Sequence, residues 1–283
     1  MQFEARPPAG GEACDQAVLI YCAGANERSN EKMRRLRKSY KYTLSGMIKR
    51  MKKNTPQKVA IFDIDGTIFR SSLLIEIVEE LILEGIFPKK ARDEYLPAFK
   101  RWQSRKDEYD PYINAVVQTF HRHIKGVEYA RFVEAGECVV DKHKDRVYRY
   151  TRDLISDLKK KGYYLLAISQ SPKDMLDKFC HNLGFDKVYG RIYEIGPGNK
   201  LTGNVSDLHL IANKANVVKR AIEKENLTLQ KSIGVGDSEG DYAFLELVET
   251  PICFNPSMIL YRHAKRNRWK IIVERKNVIY EIS

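Results

Sequence analysis

Val59-Ala60-Ile61-Phe62-Asp63-Ile64-Asp65-Gly66-Thr67 decides how this chain is read. The apolar run Val59–Phe62 is short, partly β-branched and unbroken, which suits a strand buried on both faces. Two carboxylates, Asp63 and Asp65, follow at its C-terminal end, beside a glycine that can turn the chain sharply. Open α/β sheets hold their ligands outside the carboxyl ends of such strands. Taken alone, the acid pair also reads as a solvated turn, so the remainder of the chain has to choose.

Three more elements follow in order. Ser169 ends a second apolar run, Tyr163–Ile168; Lys214 opens an amphipathic helix; and Gly236-Asp237-Ser238-Glu239-Gly240-Asp241 follows a third run, Ser232–Val235. An acid pair with Gly-Thr, then Ser, then Lys, then Gly-Asp with a distal Asp resembles the haloacid dehalogenase superfamily of aspartate-nucleophile phosphohydrolases. The resemblance covers residues 58–256 and is strongest to the phosphoserine-phosphatase-like subclass. It implies a Rossmann-like α/β fold: a parallel sheet with helices on both faces and an inserted helical cap.

The resemblance also implies roles. Asp63 is expected to attack phosphorus, giving an aspartyl-phosphate. Asp65 is expected to protonate the leaving alcohol and then activate water. Ser169 and Lys214 are expected to hold the phosphoryl oxygens, with Gly66 and Thr67 shaping the phosphate loop; Lys219 is the alternative cation. Carboxylates facing a phosphate need a cation between them, and an all-oxygen donor set suits Mg²⁺. The expected ligands are the carboxylates of Asp63 and Asp237 and the backbone carbonyl of Asp65. Asp241 stands open between a metal ligand, direct or through water, and a helix cap.

Departures from phosphoserine phosphatases touch the substrate rather than the machinery. Their Gly-Gly after the motif serine is Gln170-Ser171 here, their ammonium-binding Glu is Ser72, and their Asn before the last acid is Gly240. The expected function is therefore a Mg²⁺-dependent phosphatase for a small-molecule phosphate monoester, not specific for phosphoserine. Transfer to an acceptor other than water is the alternative. A third reading, from a different class, is binding to nucleic acid or anionic lipid through a basic N-terminal helix.

The charge of +12 is uneven: residues 1–55 carry twelve Lys and Arg against five Asp and Glu. Residues 1–28 lack sustained periodicity and are expected to be disordered. Residues 29–55 place Met33, Leu36, Tyr40, Leu44, Met47, Ile48 and Met51 at helical spacing between basic residues. That helix either packs on the domain or meets an anionic surface, and Met33 is left open as the start. Five cysteines without a CxxC pair exclude a zinc ribbon and argue for reduced thiols. Ala17–Ala25 imitates a signal-peptide core but lacks a basic flank, so a cytoplasmic location is expected.

Domain boundaries follow from where the pattern changes. Residues 56–70 and 150–283 alternate strand and helix and are expected to form the α/β core. Residues 71–149 read as helices throughout and are expected to form the cap. Tyr95, Phe99, Trp102, Arg101 and Arg105 in that insertion either meet substrate or pack and decorate the cap. Ser171 and Pro172 read as N-cap and first residue of a helix ending at Gly184. Pro197-Gly198 reads as the turn of a strand pair. His121 and His123 read as solvated.

Overall fold

The structure, a computed structural model, describes residues 55–282. The expected disordered segment 1–28 and basic helix 29–55 lie outside them, save Thr55. The Val59–Phe62 run is the end of β1 (Gln57–Phe62), the centre of an eight-stranded sheet. The other strands are β2 (Tyr164–Pro172), β3 (Lys187–Gly196), β4 (Lys200–Ser206), β5 (Leu227–Gly236), β6 (Thr250–Phe254), β7 (Lys270–Arg275) and β8 (Val278–Ile282). Their spatial order is β4-β3-β2-β1-β5-β6-β7-β8, with antiparallel pairing at the two edges and parallel pairing between.

From β1 the chain steps outward to β2 and β3, then returns to place β5 on the other flank of β1. The crevice between β2 and β5, above the C-terminal end of β1, is thus a topological switch point, where such sheets bind ligands. Asp63 sits there, its N–H donating to the Val235 carbonyl at 2.9 Å.

Strand periodicity divides the core in two. Ala60 and Phe62 of β1 with Leu165 and Ala167 of β2 face one side; Val59 and Ile61 with Leu166 and Ile168 face the other. Among the described residues, the first cluster takes in six helices: α1 (Leu73–Leu83), α2 (Ala91–Gln103), α3 (Tyr109–His123), α4 (Tyr129–His143), α5 (Arg149–Lys160) and α6 (Lys173–Leu183). The second takes in α7 (Leu208–Ile211), α8 (Lys214–Glu225), α9 (Tyr242–Leu245) and α10 (Met258–Asn267).

Helices α1–α4 fall in the stretch expected to form a cap. Helix α1 packs against α2, α3 and α4, and α4 also packs against α6 of the core. Phe99, Trp102, Tyr109 and Tyr112 form an aromatic cluster, with Trp102 stacked on Tyr112 at 5.5 Å. Tyr95 packs beside Tyr112 and donates its hydroxyl to Glu79. Arg101 pairs with Asp107 in the open. Tyr95, Phe99 and Trp102 thus pack within the helical insertion.

Two local readings need correction. Strand β2 does not stop at Ser169 but runs through Gln170 and Ser171 to Pro172, which is itself the N-cap of α6. Ser171 makes no cap because its hydroxyl is committed elsewhere, as described below. The Pro197–Asn199 turn does join antiparallel strands β3 and β4. Among the described residues, no helix is long and apolar enough to cross a membrane.

Phe62 is fully buried and meets Phe185 edge-on at 5.7 Å. Phe62→Ala should cost about 3–5 kcal/mol, since a ring-sized void directly beneath Asp63 cannot collapse fully. Chemical denaturation measures this; a loss below about 1 kcal/mol would mean the strand repacks freely.

Candidate active site

The loop ends above the sheet bring together most of the residues the motifs singled out. Asp63 leaves β1; Asp237 follows β5; and Asp241 closes the 3₁₀ turn Glu239–Asp241. One carboxylate oxygen from each lies within 4.8 Å of the others. Two glycines make the room. A Cβ on Gly66, which adopts φ +80°, would overlap the Asp237 carboxylate, and one on Gly236 would fall 2.5 Å from Asp241 Oδ2. Gly66 enters the site as shape, since its N–H is spent on the Phe69 and Ser71 carbonyls, each at 3.0 Å.

Lys214 reaches into this acidic group. Its ammonium donates to Asp63 Oδ1 at 2.5 Å and to Asp241 Oδ1 at 2.6 Å, with all three residues buried. Lys214 is the first residue of α8, where the helix dipole disfavours a cation, so the carboxylates hold it there. Burial works against its charge, yet Asp241 and Asp63 together hold the ammonium well above its ordinary pKa.

Asp241 caps the turn that follows β5. Its Oδ2 accepts from the N–H of Asp237 at 2.9 Å and of Ser238 at 3.1 Å, forming a capping box, while Oδ1 faces Lys214. The Thr67 hydroxyl donates to Asp237 Oδ1 at 3.3 Å, and its carbonyl accepts from Thr151. Thr67 therefore orients a carboxylate and anchors the loop after the acid pair.

Asp65 is held from three directions. Leu73 N–H donates to Oδ1 at 2.6 Å; the hydroxyls of Ser169 and Ser171 donate to Oδ2 at 2.6 and 2.9 Å. The two serines lie two apart on one strand, so both face the same side. Ser171 was missed as a site residue because Ser-Pro before a helix imitates a cap; the strand's period of two from Ser169 was the signal available. From the helical insertion, Tyr109 comes close enough for Asp65 and Asp237 to matter. Desolvation of the hydroxyl, then Asp65, Tyr112 and Asp237, push it well above its ordinary pKa, although the residue as a whole is 38% exposed. Lys219 is not among the residues gathered here.

One ammonium for three carboxylates leaves a deficit of positive charge. Burial is the largest influence on Asp63 and lifts it to about 7, with Lys214 opposing and Asp241 and Asp65 adding to the rise. Burial, then Asp63 and Asp241, push Asp237 well above its ordinary range. Closely spaced hard oxygens whose charge is undercompensated fit a divalent cation such as Mg²⁺. The described residues hold one other such acidic group, Glu80, Glu84 and Cys138, but there Lys142 already occupies Glu80 through both oxygens.

A carboxyl raised on folding contributes stability while protonated in both states and loses it as pH rises through its folded pKa. In chelator, the contribution of Asp63 should therefore be present near pH 4 and vanish by about pH 7. Asp63→Asn should flatten that decline in melting temperature. Parallel curves for variant and parent would place the charge deficit elsewhere.

Comparison with known proteins accords with this geometry. A family model described as haloacid dehalogenase-like hydrolase matches residues 60–246, well over half of the chain. A protein named phosphoserine phosphatase from Mycobacterium tuberculosis is 26% identical over 216 residues, covering 75% of this chain and 69% of its own. Among solved structures, a protein of unknown function from Bordetella pertussis superposes with TM-score 0.61 at 17% identity, over 77% of this chain and 98% of its own. A phospho-aspartyl intermediate analogue of phosphoserine phosphatase superposes with TM-score 0.52 at 21% identity, over 78% and 95%, and shares the fold. The chain belongs to the haloacid dehalogenase-like hydrolases.

Proposed function

We propose that this enzyme is a Mg²⁺-dependent phosphatase that hydrolyses a small-molecule phosphate monoester through an aspartyl-phosphate on Asp63. The observation that carries the proposal is the convergence of Asp63, Asp237 and Asp241 on one point, beside a separately clamped Asp65. Asp63, Asp237 and Asp241 would hold the cation, with the Asp65 carbonyl as a further donor. When bound, the cation neutralises the facing carboxylates and the phosphoryl oxygens.

Lys214 engages Asp63 Oδ1, and attack is assigned to the other carboxylate oxygen. As phosphorus bonds to that oxygen, the ester bond breaks and the leaving oxygen takes a proton from Asp65. Asp65 then removes a proton from water, whose oxygen displaces Asp63 from phosphorus and releases phosphate. The Ser169 and Ser171 hydroxyls and the Leu73 N–H keep the Asp65 carboxyl in place through both halves. Lys214 supplies a fixed charge to the phosphoryl group.

Substrate choice departs from the names of the relatives. Ser72, at the position of the ammonium-binding Glu, is buried and caps α1, its hydroxyl accepting from the Leu74 N–H at 3.2 Å. An amino-acid ammonium buried there would lack a carboxylate partner.

Asp63→Asn should abolish Mg²⁺-dependent turnover of p-nitrophenyl phosphate and the acid-trapped phosphoenzyme; turnover like the parent's would refute the nucleophile. Asp65→Asn should slow alkyl phosphates about 10²–10⁴-fold and p-nitrophenyl phosphate much less, because a good leaving group needs little protonation. Equal losses would remove Asp65 from the acid role. In a metabolite-phosphate panel, phosphoserine should not give the highest kcat/KM. A clear lead for phosphoserine would overturn the substrate reading.

A further inference from the structure

Arg191 stands apart from its neighbours in its partners. Arg92, Arg122 and Arg146 each pair with a glutamate. Half-buried Arg191 instead donates from Nε to Gln170 Oε1 at 3.0 Å and from Nη1 to His121 Nε2 at 3.2 Å, with Tyr193 beside it. These partners are neutral, so among the described residues its positive charge has no carboxylate partner. Burial, then Arg191 itself, lower the His121 pKa, which keeps the lone pair on Nε2 available to the guanidinium.

The location matters as much as the charge. Arg191 pairs in register with Pro172 at the C-terminal end of β2, and His121 belongs to the last turn of α3 in the helical insertion. Gln170 is fixed at its other end, its amide donating to the Ile211 carbonyl at 2.6 Å, just before α8 and Lys214. In sequence Gln170 lies between Ser169 and Ser171, the two hydroxyls on Asp65. Its Cα is therefore about 3.8 Å from each of theirs, and Arg191, in register with Pro172, stands at the same strand end as those serines, with His121 of the helical insertion against it. The motif departure that put Gln170 in a glycine's place is what supplies the anchor.

We propose that Arg191, aimed by Gln170 and His121, forms a subsite that takes a second oxyanion, carboxylate or phosphate, carried on the leaving alcohol of the substrate. The inference rests on the phosphatase reading above. A guanidinium offers planar paired donors suited to both anions, and two of its five donors are committed to Gln170 and His121. A partly desolvated cation without a partner gains most from an incoming anion, and the same charge repels a leaving group that is itself cationic. Phosphoserine thus gains through its carboxylate and loses through its ammonium.

Matched substrates test the subsite: glycerol 3-phosphate against 3-phosphoglycerate for a carboxylate, and fructose 6-phosphate against fructose 1,6-bisphosphate for a phosphate. In the parent enzyme the anionic member of at least one pair should lead by about tenfold or more in kcat/KM, mainly through KM. Arg191→Met should bring that ratio close to one, and Arg191→Lys should restore part of it. The pair that responds names the anion. Parent ratios near one, or an Arg191→Met loss equal for both members, would overturn the subsite and leave Arg191 as a tether between β3 and α3. Parent enzyme inert towards p-nitrophenyl phosphate with Mg²⁺ would instead overturn the phosphatase reading, and the subsite with it.

Discussion

The Lys214 ammonium, bonded to Asp63 and Asp241 in a buried pocket, is the constraint around which the site is built. It ties the end of β1 to the start of α8 and to the turn after β5, elements far apart in sequence. Removing one partner from a buried ion group leaves an uncompensated charge, which is strongly destabilising. The same arrangement also leaves the pocket short of positive charge, since the ammonium is bonded to Asp63 and Asp241 and not to Asp237. Structural order and unbalanced negative charge thus arise from one arrangement.

Much of the fold was open to reading because its decisive strands are buried on both faces. The runs before Asp63, Ser169 and Asp237 are unbroken apolar stretches, and each ends at the crevice. The elements that escaped reading are those whose burial is one-sided or slight. Strand β8 exposes Val278, Ile279 and Tyr280, and nothing in its sequence distinguishes it from a tail. Helix α10 lies on a stretch whose polar residues blur its apolar stripe. Strand β5 begins at Leu227, before its apolar run, because a register shift against β1 lets a polar segment join the ladder.

The site divides along similar lines. Carboxylates two or four residues apart are visible as a motif, and so is the order of Ser169 and Lys214. Their bonds are not. Ser169 contacts Asp65, and Lys214 contacts Asp63 and Asp241, pairings that depend on how β2, α8 and the last turn cross in space. Ser171 and Arg191 were hidden for different reasons. Ser171 imitates a helix cap in one dimension, while Arg191 acquires meaning only when β3 is laid beside Gln170.

The order of strands has a consequence for how the enzyme comes into being. Strand β1 takes its two sheet partners from β2 and β5, the latter beginning at Leu227, and Asp63 meets Lys214 across 151 residues of chain. At a synthesis rate of about 5–20 residues per second, Asp63 leaves the ribosome roughly 10–35 seconds before Asp241 follows it. Throughout that interval the central strand has an unfilled edge on its β5 side. A nascent chain must therefore keep Val59–Phe62 from pairing wrongly until β5 arrives, and the site is complete only once the turn after β5 has followed it.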